Sequence, residues 1–124
     1  MYDMKIIEPR ELKKKLENHE NIFLLDVRTP EEFEEQRIKG SANIPITELE
    51  KRISEVPKDK EIITICEYGN RSLRAAYFLN KKGYKAFSLT GGIEAWKKCD
   101  FGSQFLIKLF SKKFNGLGDI STTG

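Results

Sequence analysis

The chain has 124 residues, the length of one domain with a single hydrophobic core. Charged residues make up 33% of it, and they mix both signs to a net charge of +3, which argues against a nucleic-acid-binding surface. Two cysteines and one histidine supply neither a disulfide framework nor a metal ligand set, so we expect no metal and no cofactor. No apolar signal segment follows Met1, and we expect a cytoplasmic protein with reduced thiols.

The chain begins with a short strand and an amphipathic helix. Residues 4–7 predict the strand, and residues 8–18 predict the helix, which has proline near its start and leucines on its core face. The only histidine, His19, falls in the polar turn that follows. Nothing in the pattern brings this turn to a cysteine, so we do not expect a cysteine–histidine nucleophile pair.

A second buried strand is predicted at residues 22–25, ending at Asp26, and a short acidic helix follows it. Two interpretations of Asp26 and Arg28 are open. They line a crevice at the carboxyl end of the strand, or Asp26 caps a turn and Arg28 pairs with a glutamate such as Glu32 to brace the fold. We favour the brace, because it needs only local partners.

Two further elements are predicted before the middle of the chain. Residues 42–45 have the pattern of a brief strand. Residues 46–56 predict a helix with Leu49, Ile53 and Val56 on one side.

The most informative segment is an apolar run at residues 62–65 that stops at Cys66, before a helical pattern over residues 71–79. Cys66 therefore lies at the carboxyl end of a strand, where open α/β sheets place ligand crevices and where the next helix amino terminus stabilises a thiolate. Arg71 completes a C-x4-R pattern, one residue shorter than the C-x5-R loop that surrounds a tetrahedral phosphate. With Gly69 free to adopt positive φ, such a loop can form a cradle of N–H groups that suits a single extra sulfur atom.

After this helix, residues 84–89 alternate as a strand and residues 93–99 predict another helix. The glycine pair 91–92 between them lacks the G-x-G-x-x-G and GK[ST] patterns of phosphate loops, so we interpret it as allowing close backbone approach beside the cysteine loop. Trp96 is expected in the core. Cys99 falls in the last helical turn, where the helix dipole disfavours a thiolate.

The carboxyl-terminal residues have a different pattern. Aromatic and leucine side chains recur every three to four residues over 101–114, which predicts an amphipathic helix appended to a domain of residues 1–100. Three roles are open for it: packing on its own domain, docking on a second copy or a protein partner, or lying on an anionic membrane. We favour them in that order, because packing within one chain costs no association entropy. The remainder, to residue 124, has no periodicity.

Four segments, in order along the chain, resemble the rhodanese-like family. The family's usual active-site loop is C-x-x-G-x-R-S, and this chain has CEYGNRS at residues 66–72. The other three matches are LLDVRTPEEF at 24–33, IKGSANIP at 38–45 and LTGGIEAW at 89–96. The chain departs from the family at Gln36 and Arg37, where a Gly-His pair is common, and this difference suggests another way of ending the preceding helix.

The resemblance implies a rhodanese-like α/β fold, with a five-stranded, mainly parallel sheet and helices on both faces. It implies a sulfurtransferase that takes sulfur from thiosulfate or a persulfide and passes it to a thiol or cyanide-like acceptor. The expected site consists of the nucleophile Cys66, which carries a persulfide, and of the substrate-binding residues Glu67, Tyr68, Gly69, Asn70, Arg71 and Ser72. Arg71 would act as an electrostatic positioner, and Asp26 and Arg28 would be structural.

Two alternatives compete with this function. A non-catalytic binding or regulatory module would keep the fold, but the retained Cys66 favours an enzyme. A phosphatase or arsenate reductase would need a longer loop. Glu67 would repel a dianionic donor such as thiosulfate unless it points to solvent, and the sequence leaves its direction open.

Overall fold

A five-stranded parallel sheet forms the centre of the fold. The computed structural model describes residues 5–99 and the backbone of residues 105–106. The strands in chain order are β1 (Ile6–Ile7), β2 (Ile22–Asp26), β3 (Arg37–Ile38), β4 (Ala42–Asn43), β5 (Glu61–Ile65), β6 (Lys85–Leu89) and β7 (Phe105–Leu106). The main sheet has the order β1-β6-β5-β2-β4, and all its neighbouring strands are parallel. The predicted five-stranded, mainly parallel sheet is therefore confirmed.

Helices cover both faces of this sheet. The four helices are α1 (Pro9–Glu17), α2 (Pro30–Glu35), α3 (Asn70–Lys81) and α4 (Gly92–Lys98), of which α3 packs on one face and α1 and α4 pack on the other. Successive side chains of a strand point to opposite faces, so Ile62 joins one core cluster with Leu79 of α3. Ile63 joins the other, with Leu12 of α1 and Trp96 of α4. Trp96 is fully buried, as its sequence context predicts.

The segment between β4 and β5 differs from its prediction. Instead of one helix over residues 46–56, two short 3-10 helices form at Ile46–Glu48 and Ile53–Glu55. The hydroxyl of Tyr84 donates to the carbonyls of Ile53 at 3.1 Å and Val56 at 3.0 Å, which ties the end of the segment to the core. Val56 is extended because it precedes a proline, which disfavours the helical conformation.

The predicted carboxyl-terminal helix lies mostly outside the described residues. At Phe105–Leu106 the prediction is wrong, because these residues form β7, which pairs antiparallel with β3. β3 itself arises where α2 ends, since Gln36 adopts an extended conformation with φ −165° rather than a left-handed cap. Arg37 thus lies in a strand outside the main sheet, and β7 pairs with that strand in a second, two-stranded sheet.

Residues 5–99 contain no helix that is long and apolar enough to cross a membrane.

Candidate active site

Three neighbouring strands bring the candidate site together. β5 lies between β2 and β6, and all three run parallel, so their carboxyl ends meet at one edge of the sheet. Cys66 follows β5, Asp26 ends β2, and the glycine pair 91–92 follows β6 shortly after Leu89. His19 precedes β2 in an exposed turn at the opposite edge, so it lies away from Cys66, as the sequence predicts.

The sulfur of Cys66 lies in a cradle of backbone N–H groups. Gly69 donates its N–H to Sγ at 3.0 Å, and Ser72 donates its N–H at 3.3 Å. Gly69 adopts φ +109°, the left-handed conformation that lets the loop turn into the first residue of α3. Cys66 is only 1% exposed, so its sulfur is solvated mainly by these peptide groups. The cradle that the C-x4-R spacing predicts is thus present.

Buried hydroxyl groups form the floor beneath this sulfur. Ser72 Oγ lies 3.4 Å from Cys66 Sγ and 2.7 Å from Ser88 Oγ. Thr64 Oγ1 donates to the carbonyl of Ser72 at 2.8 Å. The sequence reasoning missed Thr64 and Ser88. The signal that could have found them is a small polar residue inside a strand whose neighbours are apolar.

The start of α4 supports the loop from the other side. The N–H of Ile93 donates to the Cys66 carbonyl at 2.9 Å, and the N–H of Glu94 donates to the Glu67 carbonyl at 3.1 Å. Gly92 has φ +61°, and a Cβ atom there would lie 2.3 Å from the Cys66 oxygen and 2.6 Å from the Glu67 oxygen. The predicted close approach of the glycine pair to the cysteine loop is confirmed.

Arg28 braces the site, but not through the predicted partner. Its Nε and Nη2 donate to the two carboxylate oxygens of Asp26 at 2.9 and 2.8 Å, and Nη2 also donates to the Gln36 carbonyl at 2.6 Å. At 1% exposure Arg28 does not line a crevice. Burial would lower the pKa of this guanidinium, but the hydrogen bonds and charge of Asp26 raise it. Pairing with Glu32 was wrong, because the buried guanidinium is already held by Asp26.

Glu67 points into the fold rather than to solvent. Its Oε1 accepts a hydrogen bond from Arg28 Nη1 at 3.2 Å, and 20% of its side chain is exposed. Burial, together with a hydrogen bond to Glu94, raises the pKa of the Glu67 carboxyl, while Arg28 opposes that rise. The sequence could not determine this direction, because both partners lie far away along the chain.

Arg71 pairs with Glu32. Its Nη1 and Nη2 donate to the two oxygens of the Glu32 carboxylate at 2.8 and 3.0 Å, a two-point ion pair at the rim of the loop. These hydrogen bonds lower the pKa of Glu32 to about 2. Tyr68 and Asn70 are exposed on the same loop. The roles of Arg71, Tyr68 and Asn70 in substrate binding stay predictions.

The chemistry that this arrangement favours is sulfur-centred. The cradle and the amino terminus of α3 stabilise negative charge on the Cys66 sulfur. Residues 5–99 contain no group of three or more histidine, cysteine or carboxylate side chains that could hold a metal ion. Cys99 caps the carboxyl end of α4, far along the helix from the glycine turn.

Comparison with known proteins gives consistent matches. The rhodanese-like domain model matches residues 8–99. A sulfurtransferase from Allochromatium vinosum is 34% identical over 93 residues, covering 74% of this chain and 87% of that protein. The putative sulfurtransferase YtwF from Bacillus subtilis is 34% identical over 95 residues, covering 77% and 92%. The crystal structure of a rhodanese-related protein from Thermoplasma volcanium has a TM-score of 0.73 at 33% identity, covering 79% and 95%.

Proposed function

Because this chain belongs to the rhodanese-like domain family, we propose that it is a sulfurtransferase whose Cys66 carries sulfane sulfur as a persulfide. The relatives named sulfurtransferase support the enzyme class. The persulfide on Cys66 is supported by the pair of N–H groups, from Gly69 and Ser72, that are directed at the Cys66 sulfur. Such donors stabilise a sulfur anion both before and after it gains a second sulfur atom.

Loading of the enzyme is a displacement at sulfur. The Cys66 thiolate attacks the outer sulfur of the donor, a new S–S bond forms, and the donor's own bond to that sulfur breaks. With thiosulfate the leaving group is sulfite, which takes the electron pair. The N–H groups of Tyr68, Asn70 and Arg71 donate no backbone hydrogen bond within residues 5–99, so they are free to bind the outer sulfur.

Discharge reverses these roles. A thiol or cyanide acceptor attacks the outer sulfur, and the bond between the two sulfurs breaks. The Cys66 thiolate leaves with the electron pair and returns to its cradle, where Gly69 and Ser72 again stabilise it. Cyanide would leave as thiocyanate. Each half-reaction transfers one sulfur atom without an external oxidant or reductant.

Thiocyanate formation tests this proposal. The purified protein, mixed with cyanide and either thiosulfate or cysteine persulfide, is expected to form thiocyanate catalytically. Without cyanide, the peptide that contains Cys66 is expected to gain the mass of one sulfur atom. A protein that neither forms thiocyanate nor gains sulfur with either donor would be a non-catalytic module. Phosphate release from an aryl phosphate would instead favour a phosphatase.

A further inference from the structure

The two guanidinium groups beside the cysteine loop are already neutralised within the chain. Arg71 is held at two points by Glu32, at 2.8 and 3.0 Å. Arg28 is held by Asp26 and also contacts Glu67, whose Oε1 lies 3.2 Å from Nη1. Three carboxylates thus face two guanidinium groups, and neither guanidinium offers an unpaired positive charge to an incoming anion.

Local structure holds the Glu32 side of this arrangement in place. Glu32 is in the first turn of α2, where its Oε1 accepts the N–H of Thr29 at 3.0 Å and the Thr29 hydroxyl accepts the N–H of Glu32 at 3.2 Å. This reciprocal capping box holds the Glu32 carboxylate in the position from which it pairs with Arg71. The helix also carries Glu31, Glu34 and Glu35, which add negative charge to the same element.

Donor anions differ in how strongly they respond to such a charge distribution. Thiosulfate is a dianion, whereas cysteine persulfide has a net charge of about −1 when its outer sulfur is ionised. Electrostatic energy scales with the charge of the ligand, so pairing Arg71 with Glu32 removes more attraction from thiosulfate than from an alkyl persulfide. The charges around the loop therefore disfavour thiosulfate.

We propose that Glu32 is a positioning residue that sets donor specificity, holding Arg71 so that the site prefers alkyl persulfides over thiosulfate. This inference rests on the proposed function, since it concerns the donor for the same cysteine. In the favoured reaction the persulfide binds as R–S–S⁻ and takes up a proton from solvent, and the Cys66 thiolate then attacks the outer sulfur of R–S–SH. The donor's S–S bond breaks, R–S⁻ leaves with the electron pair, and Cys66–S–SH forms.

The Glu32→Gln variant tests this specificity. Glutamine keeps an oxygen that can accept the capping hydrogen bond of Thr29, but it removes the charge that neutralises Arg71. Glu55→Gln is a matched control, because Glu55 forms a similar two-point pair with Arg52, at 2.9 and 3.0 Å, in the segment between β4 and β5. Melting temperatures show whether each variant is folded.

The readout is KM and kcat/KM for thiosulfate and for cysteine persulfide, with cyanide as acceptor, at several salt concentrations. Freeing Arg71 in Glu32→Gln is expected to lower the thiosulfate KM about tenfold, and the persulfide KM only about threefold because its charge is half as large. In the native protein the thiosulfate KM should not rise with added salt. In Glu32→Gln it should rise, because salt screens the new attraction. Glu55→Gln should behave as the native protein.

Other outcomes overturn the inference in distinguishable ways. If both donors load Cys66 but Glu32→Gln leaves the ratio of the two KM values and their salt dependence unchanged, Glu32 does not set specificity while the sulfurtransferase proposal stands. Equal changes for both donors would give Glu32 a structural role only. If neither donor loads Cys66 in the native protein, the proposed function and this inference both fail.

Discussion

Two turns in this molecule have the same local construction and opposite uses. The cysteine loop joins β5 to α3, and the glycine turn joins β6 to α4. Each follows a buried parallel strand and reaches its helix through a left-handed glycine, Gly69 at φ +109° or Gly91 at φ +73°. In the first, the helix-start N–H groups face a cysteine sulfur. In the second, they face the carbonyl oxygens of the first loop.

The difference shows that a strand–glycine–helix turn becomes a site only through what it faces. A helix amino terminus offers unpaired N–H groups to any acceptor. At Cys66 that acceptor is a side chain able to form a new bond. At the start of α4 the N–H groups of Ile93 and Glu94 already donate hydrogen bonds to peptide carbonyls. The glycine turn therefore supports the cysteine loop. Cys66 begins the cysteine loop, and Cys99 ends the helix that follows the glycine turn, so replacing each cysteine tests the contrast.

The largest expected effect comes from replacing the two cysteines in turn. Cys66→Ser should abolish thiocyanate formation, because its hydroxyl cannot hold a transferable sulfur. Cys99→Ser should leave the rate nearly unchanged, since Cys99 caps the carboxyl end of α4 and lies outside the N–H cradle that holds the Cys66 sulfur. Peptide mass spectrometry should find the added sulfur on Cys66 alone. Persulfide on Cys99, with activity surviving in Cys66→Ser, would reverse the assignment of the two turns.

The second largest effect should follow from filling the space between the turns. In Gly92→Ala the new Cβ would overlap the carbonyls of Cys66 and Glu67, so the loop must move. Gly83→Ala is the matched control, because Gly83 also has positive φ, at +94°, but a Cβ there meets only Lys58 Nζ at 3.8 Å.

Strain in the left-handed conformation should cost each variant about 1 kcal/mol of unfolding free energy. The overlap should cost Gly92→Ala about 2 kcal/mol more, and it should also reduce sulfur transfer. Chemical denaturation and the thiocyanate assay measure the two effects. Equal losses of stability in the two variants, with sulfur transfer retained in both, would show that Gly92 is not the contact that supports the loop.

The smallest effect concerns stability in acid, at the rim of the cysteine loop. Arg71 holds the pKa of Glu32 at about 2, below its value of about 4.3 in an unfolded chain. The ion pair therefore contributes its full stability above pH 4.3, and this contribution is lost as the pH falls towards 2. Because both side chains are partly exposed, we expect at most about 1 kcal/mol.

The measurement compares the free energy of unfolding of the native protein and Glu32→Gln across this pH range. The native protein should be more stable at neutral pH, and the difference should shrink between about pH 4.3 and pH 2. A difference that stays constant over this range would show that the Glu32 charge does not stabilise the fold. In that case the Glu32–Arg71 ion pair would not be a feature that distinguishes the cysteine loop from the glycine turn.

Local patterns determined a large part of this protein. Residues close together in sequence specify the apolar run before Cys66, the C-x4-R spacing and the glycine at the end of the loop. They led to the parallel sheet and to the N–H cradle at Cys66, both of which the structure contains. The glycine pair was likewise placed beside the loop, because two adjacent glycines without a phosphate motif have few other uses.

Tertiary structure alone decided which charges meet. Arg28 contacts Glu67 and Arg71 contacts Glu32, and 39 residues separate the partners in each pair. The sequence pattern favoured a pair between Arg28 and Glu32, because these two residues are close in sequence. In the structure β2 and β5 lie side by side, so Arg28 after β2 contacts Glu67 and Arg71 after β5 contacts Glu32. The strand at Phe105–Leu106 also depends on a distant element. The sequence there has a helical periodicity, but the two residues pair with the edge of β3. Periodicity reports which face of an element is apolar, whereas ion pairs and strand edges depend on elements that are distant in sequence.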